Sequence, residues 1–208
     1  MKLLHRDDLF GWSVFNDERD IDFHSVLWVR PGGNIAIDPL PLSEHDRAHL
    51  LRLGPVEWIV LTNSDHVRAS AELARLTGAK VAGPRAEQSS FPIACQRWLA
   101  DGEEVVPGLR VLELHGSKTP GELALWLAPD TLICGDLVRC HRAGWLTLLP
   151  EGKLRDPVAA RHSVRRLLEL PAPEAVLLGD GWPVFRDGHV RLRELWQQLG
   201  APPAQHKP

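Results

Sequence analysis

The sequence predicts a layered α/β fold in which helices cover a central pair of β-sheets. Strand-like and helix-like segments alternate along the chain, and a similar order of segments occurs in both halves. Short polar clusters also follow several strand-like segments, as they do at the ligand-binding edge of α/β sheets. We expect residues 1–200 to form a single domain and the proline-rich residues 201–208 to be disordered.

The first half of the chain begins with apolar runs that are typical of strands, at residues 9–15 and 25–30. The turn at Gly32-Gly33 joins the second run to a third strand over residues 34–39, which predicts a hairpin. Residues 43–53 then have helical spacing, with Ser43 as the N-cap and Gly54 at the end.

The next segments predict a strand at residues 56–62, a helix at 69–76 and a short strand at 80–82. Residues 84–102 are less regular, and we expect them to be largely helical. The second half predicts strands at residues 109–114, 123–127, 131–134 and 175–178, and helices at residues 156–170 and 189–199. Residues 139–153 are expected to form a loop beside the pocket.

Composition excludes several classes of partner. Apolar residues make up 44% of the chain, charged residues 25%, and the net charge is −3, so we expect no nucleic-acid or membrane partner. The first residues lack the apolar core of a signal peptide, and no apolar run approaches the roughly 18 residues of a membrane span. Three cysteines without C-x-x-C spacing favour free thiols, and we expect a cytoplasmic location.

The polar loop after the strand at residues 56–62 is the first candidate site. It contains Asn63, Asp65, His66 and Arg68, directly before the next helix. The carboxyl ends of strands are where ligands bind in α/β sheets, so this loop predicts a functional site. His66 beside Asp65 could act as an acid–base pair near neutral pH, or it could be a helix-start histidine bonded to backbone.

Four landmarks along residues 25–182 resemble the signature motifs of the metallo-β-lactamase-fold hydrolases. The loop after Thr62 is similar to the family's Thr-His-x-His-x-Asp-His, and residues 118–121 are similar to its His-Thr-Pro-Gly turn. Gly135-Asp136 matches the Gly-Asp whose carboxylate bridges two metal ions, and residues 179–181 are similar to the closing Gly-His-Gly. The resemblance implies a four-layer αββα sandwich of the metallo-β-lactamase type.

The same resemblance implies that the metal ligands are largely replaced. Without gaps in the first loop, the ligand positions hold Asn63, Asp65, Val67, Arg68, Lys118, Asp136 and Asp180. Of these, Asp136 alone is the family's residue. Val67 cannot bind a metal ion, and lysine and arginine repel one. We therefore expect a divergent member that lacks the di-zinc site and holds no metal.

Charge balance suggests what replaces the ions. Three aspartates in one pocket are costly without counter-charges, and Lys118 and Arg68 supply them. We expect a site that binds an unidentified small molecule or acts as a metal-independent enzyme. Its predicted catalytic residues are Asp65, His66, Asp136 and Asp180, and its predicted binding residues are Asn63, Arg68, Lys118, Asp38 at a strand end and His115 in the turn before Lys118.

Two alternatives stay open at this stage. If the first loop is two residues shorter than the family's, Asp65 and His66 match its Asp-His pair. Asp65, His66, Asp136 and Asp180 would then suit one Zn, Mn or Fe ion, in a mono-metal hydrolase of an ester, thioester or phosphoester. The other alternative is a non-catalytic pseudoenzyme that acts through a protein partner.

Overall fold

The computed structural model describes residues 1–200. The tail at residues 201–208, which we predicted to be disordered, lies outside the described residues. Within the described part of the chain, no helix combines the length and the apolar composition that a membrane span requires.

The first sheet contains seven strands that lie side by side in their sequence order. The first four are antiparallel neighbours, and the last three continue the sheet in parallel. They are Lys2–Leu3 (β1), Leu9–Asn16 (β2), Ile21–Trp28 (β3), Asn34–Ile37 (β4), Val56–Val60 (β5), Lys80–Pro84 (β6) and Arg97–Leu99 (β7).

The second sheet contains five strands, ordered β14-β11-β10-β9-β8. They are Glu104–Val106 (β8), Leu109–Leu114 (β9), Glu122–Leu127 (β10), Thr131–Cys134 (β11) and Ala175–Leu178 (β14). A separate hairpin is formed by Val138–Arg142 (β12) and Trp145–Leu148 (β13).

Four α-helices cover the outer faces of the two sheets. They are Glu44–Leu53 (α1), Ser70–Thr77 (α2), Pro157–Leu167 (α3) and Gly188–Gly200 (α4). Ser43 caps α1 by accepting a hydrogen bond from the Asp46 N–H, and Asp156 caps α3 in the same way at Val158 and Ala159. Short 3₁₀ helices lie at Ser64–His66, Arg85–Glu87 and Glu151–Lys153.

Apolar side chains fill three layers. Val26, Ile37 and Val60 from the first sheet meet Val111 and Leu125 from the second in the central layer. A second cluster packs the first sheet against α1 and α2, and a third packs the second sheet against α3 and α4. The predicted four-layer αββα sandwich is therefore confirmed.

Two segments differ from the sequence predictions. Residues 84–102 are not largely helical, because one short 3₁₀ turn is followed by β7. This strand pairs in parallel with β6 and supplies hydrogen-bond partners for the backbone groups along that side of β6. Residues 139–153 are not an irregular loop, because β12 and β13 form a hairpin there, with Val138 paired to Leu148. This hairpin proves important for the site.

Candidate functional site

Five turns bring the polar side chains of the site to one edge of the sandwich. Asp38 follows β4, the loop at residues 62–68 follows β5, and Lys118 lies between β9 and β10. Asp136 follows β11, and Asp180 follows β14. The carboxyl ends of these strands therefore converge, as the sequence predicts.

Two glycines allow the turns to approach this closely. A Cβ atom on Gly179 would lie 2.5 Å from Cε1 of His66, and one on Gly135 would lie 2.7 Å from Oγ1 of Thr62. Both distances are far below ordinary contact, so a side chain at either position would push the site loop outward.

His66 is buried at the centre of the site and bonded to Asp38. Its Nδ1 lies 2.7 Å from Oδ2 of Asp38. Thr62 fixes the same carboxylate, donating from its backbone N–H at 2.8 Å and from its hydroxyl at 2.6 Å. Asp38 itself has a backbone φ of +46°, a strained conformation for a non-glycine residue that these bonds hold in place.

The other ring nitrogen of His66 faces two further carboxylates. Its Nε2 lies 3.4 Å from Oδ2 of Asp136 and 3.9 Å from Oδ1 of Asp180. Burial by itself lowers the pKa of His66, but the carboxylates of Asp38 and Asp136 outweigh it and raise the pKa to about 9. These carboxylates therefore favour the imidazolium form of the ring near neutral pH, against the opposing charge of Arg68.

Asp136 is fully buried and contacts two cationic side chains. Lys118 Nζ lies 2.9 Å from Oδ2, and Arg139 Nη2 lies 3.1 Å from Oδ1. Asn63 also donates its side-chain amide to Oδ2 at 3.1 Å. Although burial favours the neutral acid, His66 and Lys118 hold the pKa of Asp136 well below its usual range. Asp136 is an anion held by fixed donors.

Asp180 is also held between two guanidinium groups. Arg139 Nη2 bonds to its Oδ2, and Arg68 Nη2 lies 3.4 Å from its Oδ1. Arg139 therefore bridges the two aspartates. The sequence pattern does not reveal this residue, because its role depends on the β12–β13 hairpin placing it beside the turn of Asp136.

Arg68 connects several strands to the site. Its Nη1 donates to the backbone carbonyl of His24 at 2.6 Å and to that of Asp38 at 3.1 Å, and Nη2 donates to that of Gly179 at 3.1 Å. The guanidinium also lies over the ring of Phe23 at 5.6 Å. These contacts hold the guanidinium of Arg68, one of the two predicted counter-charges, at the floor of the pocket.

Lys118 and Asp65 form an ion pair nearer to solvent. Lys118 Nζ lies 2.7 Å from Oδ2 of Asp65, whose side chain is 52% exposed. Burial lowers the pKa of Lys118, but Asp136 and Asp65 together raise it above its ordinary value, so the amine stays charged. Asp65 therefore lies at the rim of the site, bonded to Lys118.

Glu122 is a second buried residue whose role the sequence pattern does not reveal. Its Oε1 accepts the backbone N–H groups of Asp136 at 2.8 Å and Leu137 at 2.6 Å, and its Oε2 accepts the hydroxyl of Ser117. Burial and the neighbouring Asp136 raise the pKa of Glu122 to about 7. This carboxyl group ties the turn of Lys118 to the turn of Asp136.

The site opens into a cavity of about 470 Å³. Its lining joins the charged residues to an apolar wall and to the tip of the β2–β3 hairpin: Asn16, Glu18, Arg19, Phe23, Leu40, Asp65, His66, Arg68, Lys118, Asp136 and Asp180. Three of the predicted binding residues, Asn63, Asp38 and His115, are not among them. Asn63 and Asp38 are buried and act through their hydrogen bonds to Asp136 and His66. The chain at Gly116 packs against the start of α3, and His115 is exposed with its N–H bonded to Ser163.

Comparison with known proteins decides the family. A sequence profile described as the metallo-beta-lactamase superfamily matches residues 1–199. The chain belongs to this superfamily. No curated protein matches the sequence.

Solved structures of superfamily members share the fold at low sequence identity. A metallo-beta-lactamase from Pontibacter korlensis is 17% identical with a TM-score of 0.75, over 97% of this chain and 98% of that one. DIM-1 metallo-beta-lactamase is 14% identical with a TM-score of 0.73, over 94% of each chain. A metallo-beta-lactamase family protein from Thermus thermophilus is 20% identical with a TM-score of 0.69, over 93% of this chain and 79% of that one. These identities establish the fold alone.

The side chains present do not fit the di-zinc centre that the superfamily resemblance implies. Zinc needs unprotonated imidazole and free carboxylate oxygens. The neighbouring carboxylates raise the pKa of His66, so zinc would have to displace a proton from this ring. Both oxygens of Asp136 and of Asp180 contact fixed donors. Nitrogen and oxygen atoms of His66, Asp136 and Asp180 do lie within 4.8 Å of one another, but cations already neutralise this group.

The geometry also bears on the two possible registers of the site loop. Val67 packs with the apolar cluster between the first sheet and its helices, whereas His66 faces the aspartates. The gap-free register placed a ligand position at Val67, which does not reach the acids. The residue that occupies the centre of the site is His66.

Proposed function

We propose that this protein is a metal-independent member of the superfamily whose cavity binds a small polar molecule. The observation that carries the proposal is the position of Arg139 and Lys118, whose nitrogen atoms contact both oxygens of the buried Asp136. Fixed side-chain cations supply there the positive charge that a metal centre would otherwise supply to the aspartates.

The ionic groups at the floor are nearly balanced. Asp38, Asp136 and Asp180 are compensated by His66, Arg68 and Arg139, while Lys118 and Asp65 pair at the rim. A cavity of about 470 Å³ falls within the range of about 300–1,000 Å³ for small-molecule sites. A ligand in this cavity would contact charged groups together with the apolar side chains of Phe23 and Leu40.

Metal analysis of the purified protein tests the metal-independent part. Cells would be grown with added zinc and manganese, and the protein purified without chelator. We expect a substoichiometric metal content and an unchanged melting temperature after treatment with EDTA. One equivalent of a transition metal per chain, lost in the Asp136→Asn variant, would refute the proposal.

Native mass spectrometry tests the binding part. We expect a small molecule to be retained by the wild-type protein and lost from a variant in which Leu40→Trp fills the apolar wall. Arg110→Ala, which lies outside the cavity, serves as the matched control. Retention that is equal in all three proteins would argue against binding in this cavity.

A mono-metal hydrolase is the second candidate. It is favoured by the closeness of His66, Asp136 and Asp180, whose potential ligand atoms lie within 4.8 Å of one another. Asp65, which the one-ion alternative included, does not belong to this group. The candidate requires Lys118 and Arg139 to leave the acids and His66 to lose a proton, and the metal analysis distinguishes it from the first proposal.

A further inference from the structure

The ionic side chains around the floor of the cavity carry one positive charge more than they carry negative charges. They comprise three buried aspartates and four cations: Asp38, Asp136, Asp180, His66, Arg68, Lys118 and Arg139. Both ring nitrogens of His66 lie beside carboxylate oxygens, which favours its charged form. Burial favours the neutral form of Glu122, the next buried carboxyl group, and raises its pKa to about 7. At a more acidic pH the cluster therefore needs one further anion.

Asp65 supplies that anion from the solvent side. Its Oδ2 lies 2.7 Å from Lys118 Nζ, its side chain is 52% exposed, and Lys118 is its only ionic partner among residues 1–200. An ion pair with such an exposed partner contributes little to stability, because water solvates the free carboxylate well. Asp65 can therefore leave Lys118 at a small cost in free energy.

Lys118 keeps its position when Asp65 leaves. Its Nζ lies 2.9 Å from Oδ2 of the fully buried Asp136, and this contact holds the ammonium at the cavity. An ammonium has three N–H donors, and Lys118 contacts only these two carboxylates within the described part of the chain. The departure of Asp65 thus makes two donors available on a fixed charge, which suits the carboxylate group of a ligand.

The rest of the cavity adds apolar contact surface and no net charge. Phe23 and Leu40 line it together with Lys118, and the tip of the β2–β3 hairpin adds Glu18 and Arg19, whose charges cancel. Ligand sites commonly combine apolar walls with a few polar groups that fix the orientation of the ligand. The lining therefore matches a molecule with one negative charge and a small apolar body.

We propose that the cavity binds a small monocarboxylate, whose carboxylate group replaces Asp65 at Lys118 and whose apolar body contacts Phe23 and Leu40. The position beside Lys118 suits this group because Asp65 already places a carboxylate there. Asp65 is then an internal competitor that each ligand must displace. The proposal rests on the function proposed above and names the chemical class of its ligand.

Ligand-detected NMR on the full chain tests the proposal with three probes of nearly the same shape. Benzoate is the anion, benzamide the neutral analogue and benzamidine the cation. The titrations are run at pH 6, where Glu122 is largely protonated, on protein with and without EDTA treatment. We expect saturable binding of benzoate by both preparations. Benzamide and benzamidine should bind at least about fivefold more weakly, because neither compensates the charge of Lys118.

Two variants separate the competitor from the cation. Asp65→Asn should tighten benzoate binding by about three- to fivefold and leave benzamide binding unchanged, because no exposed ion pair has to be broken. Lys118→Met should weaken benzoate binding to the level of benzamide. Asp7→Asn is the matched control, since it makes the same change of charge at an exposed residue outside the cavity. It should bind benzoate as the wild type does.

Three results would overturn the proposal: no binding of benzoate, equal binding of benzoate and benzamide, or no greater gain in Asp65→Asn than in Asp7→Asn. Failure of the carboxylate assignment alone differs from failure of the proposed function. Benzamide or benzamidine binding that is lost in Leu40→Trp would keep the cavity as a small-molecule site and refute only its preference for a carboxylate. Benzoate binding that disappears after EDTA treatment would indicate a bound metal ion and would overturn the proposed function as well.

Discussion

Replacing Arg139 tests the ionic interpretation of the site most directly. Arg139→Met keeps much of the apolar volume of the side chain and removes the charge that bridges Asp136 and Asp180. Both aspartates are almost fully buried, so neither can recover water in place of the lost cation. Lys118 still contacts the first aspartate and Arg68 the second.

The magnitude follows from this geometry. Two unit charges 3.1 Å apart, the distance from Arg139 Nη2 to Oδ1 of Asp136, interact by about 5 kcal/mol at an effective dielectric constant of about 20. Removing one partner of a buried pair commonly costs about 3–5 kcal/mol, because the other charge is left without compensation. We expect Arg139→Met to lower the free energy of unfolding by this amount at pH 7.

Urea unfolding followed by tryptophan fluorescence measures the loss. The matched control is Arg142→Met, in the same strand but exposed and without an ion pair among residues 1–200. A double variant, Arg139→Met with Asp180→Asn, should recover part of the loss because it removes one stranded charge. A loss for Arg139→Met below about 1 kcal/mol, or one equal to the control, would refute the reasoning.

Three further predictions concern groups around the same acids. Lys118→Met should lower the free energy of unfolding by about 1–2 kcal/mol, less than Arg139→Met does, because the Lys118 side chain is 23% exposed and Asp136 still contacts Arg139. Urea unfolding measures this loss, and a loss equal to or greater than that of Arg139→Met would contradict the expected order. The raised pKa of His66 stabilises the folded state fully below pH 6.5, and this contribution, about 3 kcal/mol, should be lost as pH rises through about 9. His66→Gln should therefore flatten the fall in stability between pH 6.5 and 9.5, and an unchanged pH profile would show that the imidazolium is not stabilised. The pKa of Glu122 is about 7 in the folded protein against an ordinary value of 4.5, so its contribution to stability should fall as pH rises between these values. Glu122→Gln should remove this fall. Chemical denaturation at pH 5 and pH 7.5 measures it, and a variant that still loses the same stability between the two pH values would contradict the prediction.

The fold could be predicted from the sequence because its landmarks lie at strand ends. Glycines and aspartates after apolar strands mark the edge where the turns meet, and Asp38, Asp136 and Asp180 lie there as predicted. The helices at residues 43–53 and 189–199 also follow from apolar spacing and, for the first, from the Ser43 cap. Such local patterns predict secondary structure because each strand or helix must bury one apolar face.

The remaining features depend on contacts between distant segments. Arg139 lies three residues after Asp136, and its second partner, Asp180, comes from the turn after β14, about forty residues further along the chain. Glu122 resembles a turn residue in sequence, yet it is fully buried because two backbone N–H groups require an acceptor there. The exposure of His115 is set by the packing of Gly116 against α3, which sequence spacing does not reveal.

The close approach at Gly135 and Gly179 has a practical consequence for comparing this chain with its homologues. Thr62 and His66 occupy the space that any larger residue at these two positions would need. A homologue with alanine or serine in place of Gly179 must hold its central histidine differently, and one with such a residue in place of Gly135 must move its counterpart of Thr62. Aligned sequences can thus be sorted by these two columns before any protein is purified, and those with both glycines are the ones in which the same ionic arrangement should be sought.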